Sequence, residues 1–178
     1  MKNRQGLIQI YTGPGKGKTT AVYGLALRAK ANKMRVCFIS FHKDPKQCKP
    51  VYDLLKKIDI AVHYFAKSHP LFPSKKQQCF EALQKQCKKG FEFIEAIFND
   101  NQYDLLIIDE INISVRDGFL KEDAVLSLMA EKPDNLEMVF TGRGATKKMI
   151  KKADLVSFIK EIKHPYQQGI VARKGIEY

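Results

Sequence analysis

The chain of 178 residues contains no tryptophan and only four cysteines and four histidines. No two cysteines have the C-x-x-C spacing typical of zinc and redox sites, so we expect reduced thiols. The scattered histidines argue against a histidine metal cluster. No apolar run approaches the roughly 18 residues of a transmembrane helix, and the amino-terminal residues lack a signal-peptide pattern. We therefore expect a cytoplasmic protein.

Acidic residues are also scarce relative to basic ones, 19 against 31, which gives a formal net charge of +12. A surplus of this size favours polyanionic partners, such as nucleic acid, acidic membranes or phosphate-rich small molecules. Hydrophobic residues make up 44% of the chain and charged residues 28%, an ordinary globular composition that argues against disorder. The length predicts a single domain over residues 1–178.

Short apolar runs alternate with amphipathic stretches, which predicts an α/β protein with a mostly parallel sheet flanked by helices. The predicted strands are 6–11, 35–41, 60–65, 104–109, 136–141 and 155–163. The predicted helices are 18–31, 51–57, 75–99, 121–131 and 147–153. We predict proline-containing loops at 42–50 and 67–74, and a tail of turns at 164–178 that could hold one more strand.

A glycine-rich segment follows the first predicted strand and opens the first predicted helix: Thr12-Gly13-Pro14-Gly15-Lys16-Gly17-Lys18-Thr19-Thr20. Glycines let consecutive backbone N–H groups converge on one anion, and the helix adds its positive end. Lys18 supplies a full charge to phosphates, and Thr19 supplies a hydroxyl ligand for Mg²⁺. The segment therefore predicts a nucleotide phosphate site at residues 13–20 and a P-loop NTPase-like, RecA-like fold.

This loop departs from the usual G-x-x-x-x-G-K-[ST] pattern. Thr12 stands at the first position, the leading Gly13 comes one residue later, and Lys16 adds a cation. We interpret the difference as a tighter loop than that of ordinary NTPases. The alternative is a glycine-rich turn that binds no ligand.

The apolar strand at 104–109 ends in two carboxylates, Asp109 and Glu110. Parallel sheets gather ligand-binding residues at the carboxyl ends of their strands, so these side chains should lie at the same edge as Lys18 and Thr19. Asp109 would hold Mg²⁺ directly or through water. Glu110 would be a second metal contact, or the base that activates water in an ATPase. Considered alone, the pair could equally be strand-end carboxylates that cap a turn.

A glycine-arginine segment, Thr141-Gly142-Arg143-Gly144, ends the fifth predicted strand at the same edge. Arg143 could pair bidentately with a phosphate or a carboxylate, and the alternative is a tight turn with a solvated arginine. A basic cluster follows, which is usually a solvated helix face and could instead contact nucleic acid: Lys147, Lys148, Lys151 and Lys152.

Together these motifs resemble segments of one family, the ATP:corrinoid adenosyltransferases, also described as cob(I)yrinic acid a,c-diamide adenosyltransferases. The loop at 12–20 resembles the family's shortened G-N-G-K-G-K-T-T loop, and 103–110 resembles its Y-D-L-V-x-L-D-E strand. The family's T-G-R-G, A-D-x-V and K-H-x segments are similar to 141–144, 153–156 and 163–165, and its carboxyl terminus to 169–172 and 175–178. The resemblance runs in register over nearly the whole chain.

The resemblance implies an enzyme of adenosylcobalamin biosynthesis or salvage. Such an enzyme transfers the 5′-deoxyadenosyl group of ATP to cobalt(I) of a corrinoid and releases triphosphate. The acceptor would be cob(I)alamin, cobinamide or cob(I)yrinic acid a,c-diamide. Family members are implied to be cytoplasmic homodimers that use Mg²⁺ or Mn²⁺, bind ATP reversed across the loop relative to hydrolases, and depend on an electron-transfer protein that reduces cobalt. Neither a membrane nor nucleic acid is implied as a partner.

The same resemblance implies roles for particular residues. Lys18, together with Lys16, the other loop residues 13–20 and Arg143, would bind ATP and neutralise the departing triphosphate. Thr19, Asp109 and Glu110 would hold the metal. Glu110 would be a metal or ribose contact rather than a water activator.

Two segments depart from the family pattern. The aromatic segment that lines the family's corrinoid pocket after the third strand is replaced by residues 67–72, where Phe72 could stand in for one ring. The family's Q-F-x-K after the second strand is matched only in part, by Ser40-Phe41-His42-Lys43. The alternative function is a P-loop ATPase acting on nucleic acid, with Glu110 polarising water and helix 147–152 on the phosphate backbone.

Overall fold

The structure, a computed structural model, describes residues 5–67 and 76–177, and for residues 76–79 the backbone alone. Within them six strands form one sheet in the order β3-β2-β4-β5-β1-β6, and every neighbouring pair is parallel. The predicted fold class is therefore confirmed. The strands are β1 Ile8–Thr12, β2 Val36–Phe41, β3 Ala61–Phe65, β4 Leu105–Asp109, β5 Glu137–Thr141 and β6 Leu155–Phe158.

Helices connect the strands and cover both faces of the sheet. They are α1 Lys18–Ala31, α2 Pro45–Lys57, α3 Lys76–Asp100, α4 Ile111–Arg116, α5 Glu122–Ala130 and α6 Lys147–Lys152, and a short 3₁₀ helix covers Pro165–Gln168. No helix within the described residues combines the length and the apolar character needed to cross a membrane.

The central strands are buried on both sides, which explains their almost uninterrupted apolar sequences. In β4, Leu106 and Ile108 pack into a cluster with α3 and α5, whereas Leu105 and Ile107 pack into a second cluster with α1 and α2. Each fully buried Leu or Ile contributes about 1.5–3 kcal/mol of transfer free energy. The sheet is therefore a rigid support for the loops at its carboxyl edge.

The strand order decides which loops meet. β5 lies between β1 and β4, with Tyr11 of β1 in register with Thr141 and Ile108 of β4 in register with Phe140. The loop after β1, the carboxylates after β4 and the glycine-arginine segment after β5 therefore emerge side by side.

Three local predictions are wrong. The segment 42–50 is not a continuous loop, because α2 begins at Pro45 and Asp44 caps it by accepting a hydrogen bond from the Lys46 N–H at 2.9 Å. Proline suits the first turn of a helix, where its missing N–H has no partner to lose. Strand β6 ends at Phe158 instead of residue 163, and α4 follows β4 directly where the sequence predicts no helix. Among the described residues of the tail there is no further strand.

Candidate functional site at the carboxyl edge of the sheet

The loop between β1 and α1 is held from behind by the segment that follows β6. The Gly15 N–H donates to the Ile159 carbonyl at 2.8 Å, and the Ile159 N–H donates to the Thr12 carbonyl at 2.8 Å. Gly13 has φ +104°, and a Cβ there would lie 2.5 Å from the Ile159 oxygen, so only glycine fits. The tightness predicted from the shifted glycine is therefore a close contact between the loop and residue 159.

Lys18, the first residue of α1, folds back into this loop. Its Nζ donates to the carbonyls of Gly13 at 2.8 Å and Gly15 at 2.6 Å, and the residue is buried. Burial is the largest influence and lowers the pKa of Lys18, although the nearby Glu110 and Asp109 carboxylates oppose that shift. An ammonium group inside a ring of backbone groups is positioned for an anion that the loop binds.

Asp109, at the end of β4, is fully buried and is the centre of a polar cluster. Its Oδ1 accepts hydrogen bonds from the hydroxyls of Thr19 at 3.0 Å and Thr141 at 2.6 Å. Its Oδ2 pairs with the ammonium of Lys43, which also donates to the Thr19 hydroxyl at 2.7 Å. Groups from α1, β4, β5 and the segment after β2 therefore meet at one carboxylate.

Lys43 is a site residue to which the sequence alone gave no role. β2 is the neighbour of β4, with Ser40 in register with Asp109, so the residues that follow Ser40 lie above the same edge. The pKa of Lys43 is lowered by burial, but Asp109 and Glu110 more than compensate and raise it overall, so the side chain stays cationic. The partial family match at residues 40–43 was the signal that could have revealed it.

Glu110 follows Asp109 in the left-handed backbone region, with φ +64°. Its N–H donates to the Thr141 hydroxyl at 3.0 Å. Its side-chain Oε2 is buried and has no hydrogen-bond partner within the described residues. Burial first, and then the charge of Asp109, raise the pKa of Glu110. An unsatisfied, electron-rich oxygen of this kind is suited to a cation or to a hydroxyl donor.

The oxygen donors at this edge fit a hard divalent cation. Mg²⁺ prefers oxygen ligands and is usually bound through one or two carboxylates together with substrate phosphates. Thr19, Asp109 and Glu110 supply a hydroxyl and two carboxylates. In the ranges described there is no group of three or more histidine, cysteine or acidic side chains that could hold a metal by itself.

The glycine-arginine segment closes the site on the β5 side. Gly142 has φ +127°, and a Cβ there would lie 3.1 Å from Oε2 of Glu110 and 3.1 Å from Cβ of Asn112. Asn112 anchors the turn by donating from Nδ2 to the Gly142 carbonyl at 3.1 Å. Arg143 is exposed and acts electrostatically on both Lys18 and Glu110. The backbone of this turn therefore lies directly against the acidic residues.

The outer face of the phosphate loop carries Pro14, Lys16 and Thr20, all exposed. Lys16 pairs with the carboxylate of Glu177 at 2.7 Å. Arg173 and, after it, Lys16 lower the pKa of Glu177 to about 2. The carboxyl-terminal tail is therefore tied to the loop by an ion pair. Phe72, the predicted corrinoid contact, lies outside the described residues.

A comparison with known families decides which class of enzymes this arrangement belongs to. The family model described as ATP:corrinoid adenosyltransferase BtuR/CobO/CobP matches residues 4–178. The chain belongs to the ATP:corrinoid adenosyltransferase family. The resemblance predicted from the sequence is confirmed, and the matched range includes the loop, the carboxylates and the glycine-arginine segment.

Relatives of this adenosyltransferase family member match along almost its whole length. The corrinoid adenosyltransferase of Pseudomonas aeruginosa is 26% identical over 99% of this chain and 86% of that protein. The corrinoid adenosyltransferase of Sinorhizobium sp. is 29% identical over 99% of the chain and 82% of its own length. The corrinoid adenosyltransferase of Escherichia coli K12 is 27% identical over 99% and 88%. Neither the family nor these relatives favour the nucleic-acid ATPase.

Proposed function

We propose that this chain transfers the 5′-deoxyadenosyl group of ATP to cobalt(I) of a reduced corrinoid and releases triphosphate. The observation that supports this most directly is the family match over residues 4–178, which includes every motif of the site. The geometry agrees, because the phosphate loop, the carboxylate pair and an arginine lie at one edge of the sheet. The reaction belongs to adenosylcobalamin biosynthesis or salvage.

The chemistry places few demands on acid–base groups. Cobalt(I) donates an electron pair to the ribose C5′, the cobalt–carbon bond forms, and the C5′–O bond breaks with its electron pair leaving on triphosphate. No proton is transferred, so no general base is needed. The protein must hold C5′ in line with cobalt and stabilise the charge that develops on the leaving group. Lys18, the loop N–H groups and the exposed Lys16 and Arg143 suit that second task.

We also propose that Mg²⁺ or Mn²⁺ binds at Thr19, Asp109 and Glu110. When bound, the ion would supply positive charge that offsets the departing triphosphate. Because the hydroxyl of Thr19 is in the first turn of α1 and both carboxylates follow β4, all three groups face the phosphate loop. On this proposal Glu110 acts as a metal or ribose contact, and its orphaned oxygen gains a partner.

A homodimer is proposed as the active assembly. β6 is an edge strand, and its side chains Leu155, Val156 and Phe158 are 41%, 38% and 66% exposed. A second copy of the chain would cover this apolar edge and leave fewer unpaired strand groups. Light scattering should report a dimer for the native chain and a monomer for Phe158→Glu, and a native monomer would refute this assembly.

An electron-transfer protein is the proposed source of the reducing electron. The net charge of +12 would attract an acidic carrier, since charge complementarity accelerates association. We propose that this exchange takes place in the cytoplasm.

The decisive experiment is anaerobic incubation with ATP, Mg²⁺ and chemically reduced cobalamin. The spectrum of a cobalt–carbon bond should appear, with triphosphate as the second product. ADP with phosphate, and release stimulated by DNA, would overturn the proposal in favour of an ATPase. Lys18→Met should lose most of the activity. Lys57→Met is the matched control, because Lys57 is exposed at the end of α2, near the amino ends of the strands.

A further inference from the structure

Lys43 lies between two groups that the proposed function assigns to a divalent cation. Its Nζ is 2.7 Å from the Thr19 hydroxyl oxygen and pairs with Oδ2 of Asp109. The Asp109 side chain is entirely buried, and that of Lys43 is 21% exposed. The ammonium is therefore the charge that balances this carboxylate in the protein described here.

The direction of the Thr19 hydroxyl shows what the ammonium replaces. Its hydrogen points to Oδ1 of Asp109 at 3.0 Å, so its lone pairs remain for an incoming cation. Lys43 takes up a lone pair on that side, and one of the Asp109 oxygens at the same time. A metal ion that bound the same two groups would need these electron pairs. Two cations cannot share them without strong repulsion.

We propose that Lys43 is a resident cation that holds Thr19 and Asp109 in place without metal and must leave them when a divalent ion binds. This inference rests on the metal assignment made under the proposed function. Asp109 and Glu110 outweigh burial and keep the pKa of Lys43 above its ordinary value, so the competing charge is present at neutral pH. The flexible four-carbon stem of lysine allows the ammonium to move without a change in the backbone.

A coupling between nucleotide and metal follows from this competition. Without nucleotide, a metal ion has to displace the ammonium and leave it without a comparable partner. A bound triphosphate would offer the ammonium a new anion within reach of its stem. Metal and ATP should therefore each strengthen the binding of the other, and the size of that coupling should depend on Lys43.

The test is Mn²⁺ binding, followed by electron paramagnetic resonance, to the full chain without nucleotide. Lys43→Gln should bind Mn²⁺ at least about tenfold more tightly than the wild type, because the competing charge is gone. Lys46→Gln removes the same charge from an exposed position three residues later and should bind Mn²⁺ as weakly as the wild type. The strengthening of Mn²⁺ binding by ATP should be smaller in Lys43→Gln than in either of the other proteins.

Equal Mn²⁺ affinities for Lys43→Gln and Lys46→Gln would overturn the inference. So would a variant in which ATP binding weakens while Mn²⁺ binding stays unchanged, since Lys43 would then be a phosphate contact alone. If Lys43→Gln does not fold without metal, Mn²⁺ should restore its circular dichroism spectrum, and failure to do so also refutes the inference. The metal assignment fails separately if the wild type binds no Mn²⁺ even with ATP.

Discussion

Replacing Asp109 by asparagine should destabilise the metal-free protein strongly, although the two side chains have nearly the same shape. The carboxylate accepts from the hydroxyls of Thr19 and Thr141 and pairs with Lys43. An asparagine has only one acceptor oxygen. Whichever way the amide is turned, its NH₂ group faces either the two hydroxyls or the ammonium.

The magnitude follows from burial. Removing one partner of a buried ion pair typically costs about 3–5 kcal/mol, because the other charge stays in the interior without compensation. The side chain of Lys43 is 21% exposed and can regain some hydration, so we expect a loss of about 2–4 kcal/mol. For a chain of this length, that loss corresponds to a fall in Tm of about 5–15 °C.

Urea unfolding at neutral pH, without nucleotide or divalent ions, measures this loss directly. Asp53→Asn is the matched control, because the Asp53 carboxylate pairs with Lys49 on the surface of α2 and should change stability by less than about 1 kcal/mol. The double variant Asp109→Asn with Lys43→Met should be more stable than the sum of the single changes predicts. An Asp109→Asn variant within 1 kcal/mol of the wild type, or strict additivity with Lys43→Met, would refute this account of the cluster.

Three further predictions concern the surroundings of the site. Gly142→Ala should lower activity severely and cost about 1–3 kcal/mol, because a Cβ at φ +127° meets Glu110, whereas Gly118→Ala, at φ +77° in open space, should show the backbone strain with normal activity; equal activities in assay would contradict this. Glu110→Gln should be more stable than the wild type above neutral pH in urea unfolding, because burial and Asp109 raise the pKa of Glu110 and its ionisation therefore costs stability as the pH rises through that raised value. The difference should vanish in acid, where the carboxyl is protonated both folded and unfolded, and a pH-independent difference would argue against the mechanism. Glu177→Gln should bind ATP roughly twofold more tightly in a calorimetric titration, since Lys16 loses a competing anion, and weaker binding would show that Glu177 helps the site instead.

Most of the strands and helices follow from local patterns. The helix at α1 matches its predicted bounds, and β4 was predicted as a central strand because both of its faces are apolar. The errors occur where one residue type has two structural uses. Pro45 was interpreted as part of a loop, yet at the first turn of α2, with Asp44 as a cap, proline is compatible with a helix.

The long helix α3 shows the same ambiguity resolved by tertiary packing. Gly90 suggested an interruption, but the helix continues through it. A Cβ at Gly90 would lie 2.6 Å from Cζ of Phe41 and 2.8 Å from Cγ of Phe65. The glycine is therefore required by two rings of the neighbouring strands, and this reason is invisible without knowing what α3 packs against.

The sequence by itself determined the chemistry of the phosphate loop and of the two strand-end carboxylates. A loop that binds phosphate through its own N–H groups, and a strand that ends in acids, are built from consecutive residues, so their motifs are readable in one dimension. Which strands are neighbours was decided only by the tertiary structure. Because β2 lies beside β4, Lys43 reaches a carboxylate 66 positions away along the chain. Because β6 lies beside β1, residue 159 supports the loop at Gly13 and Gly15. Contacts of this kind depend on the burial of whole strand faces, and no short segment records that partnership.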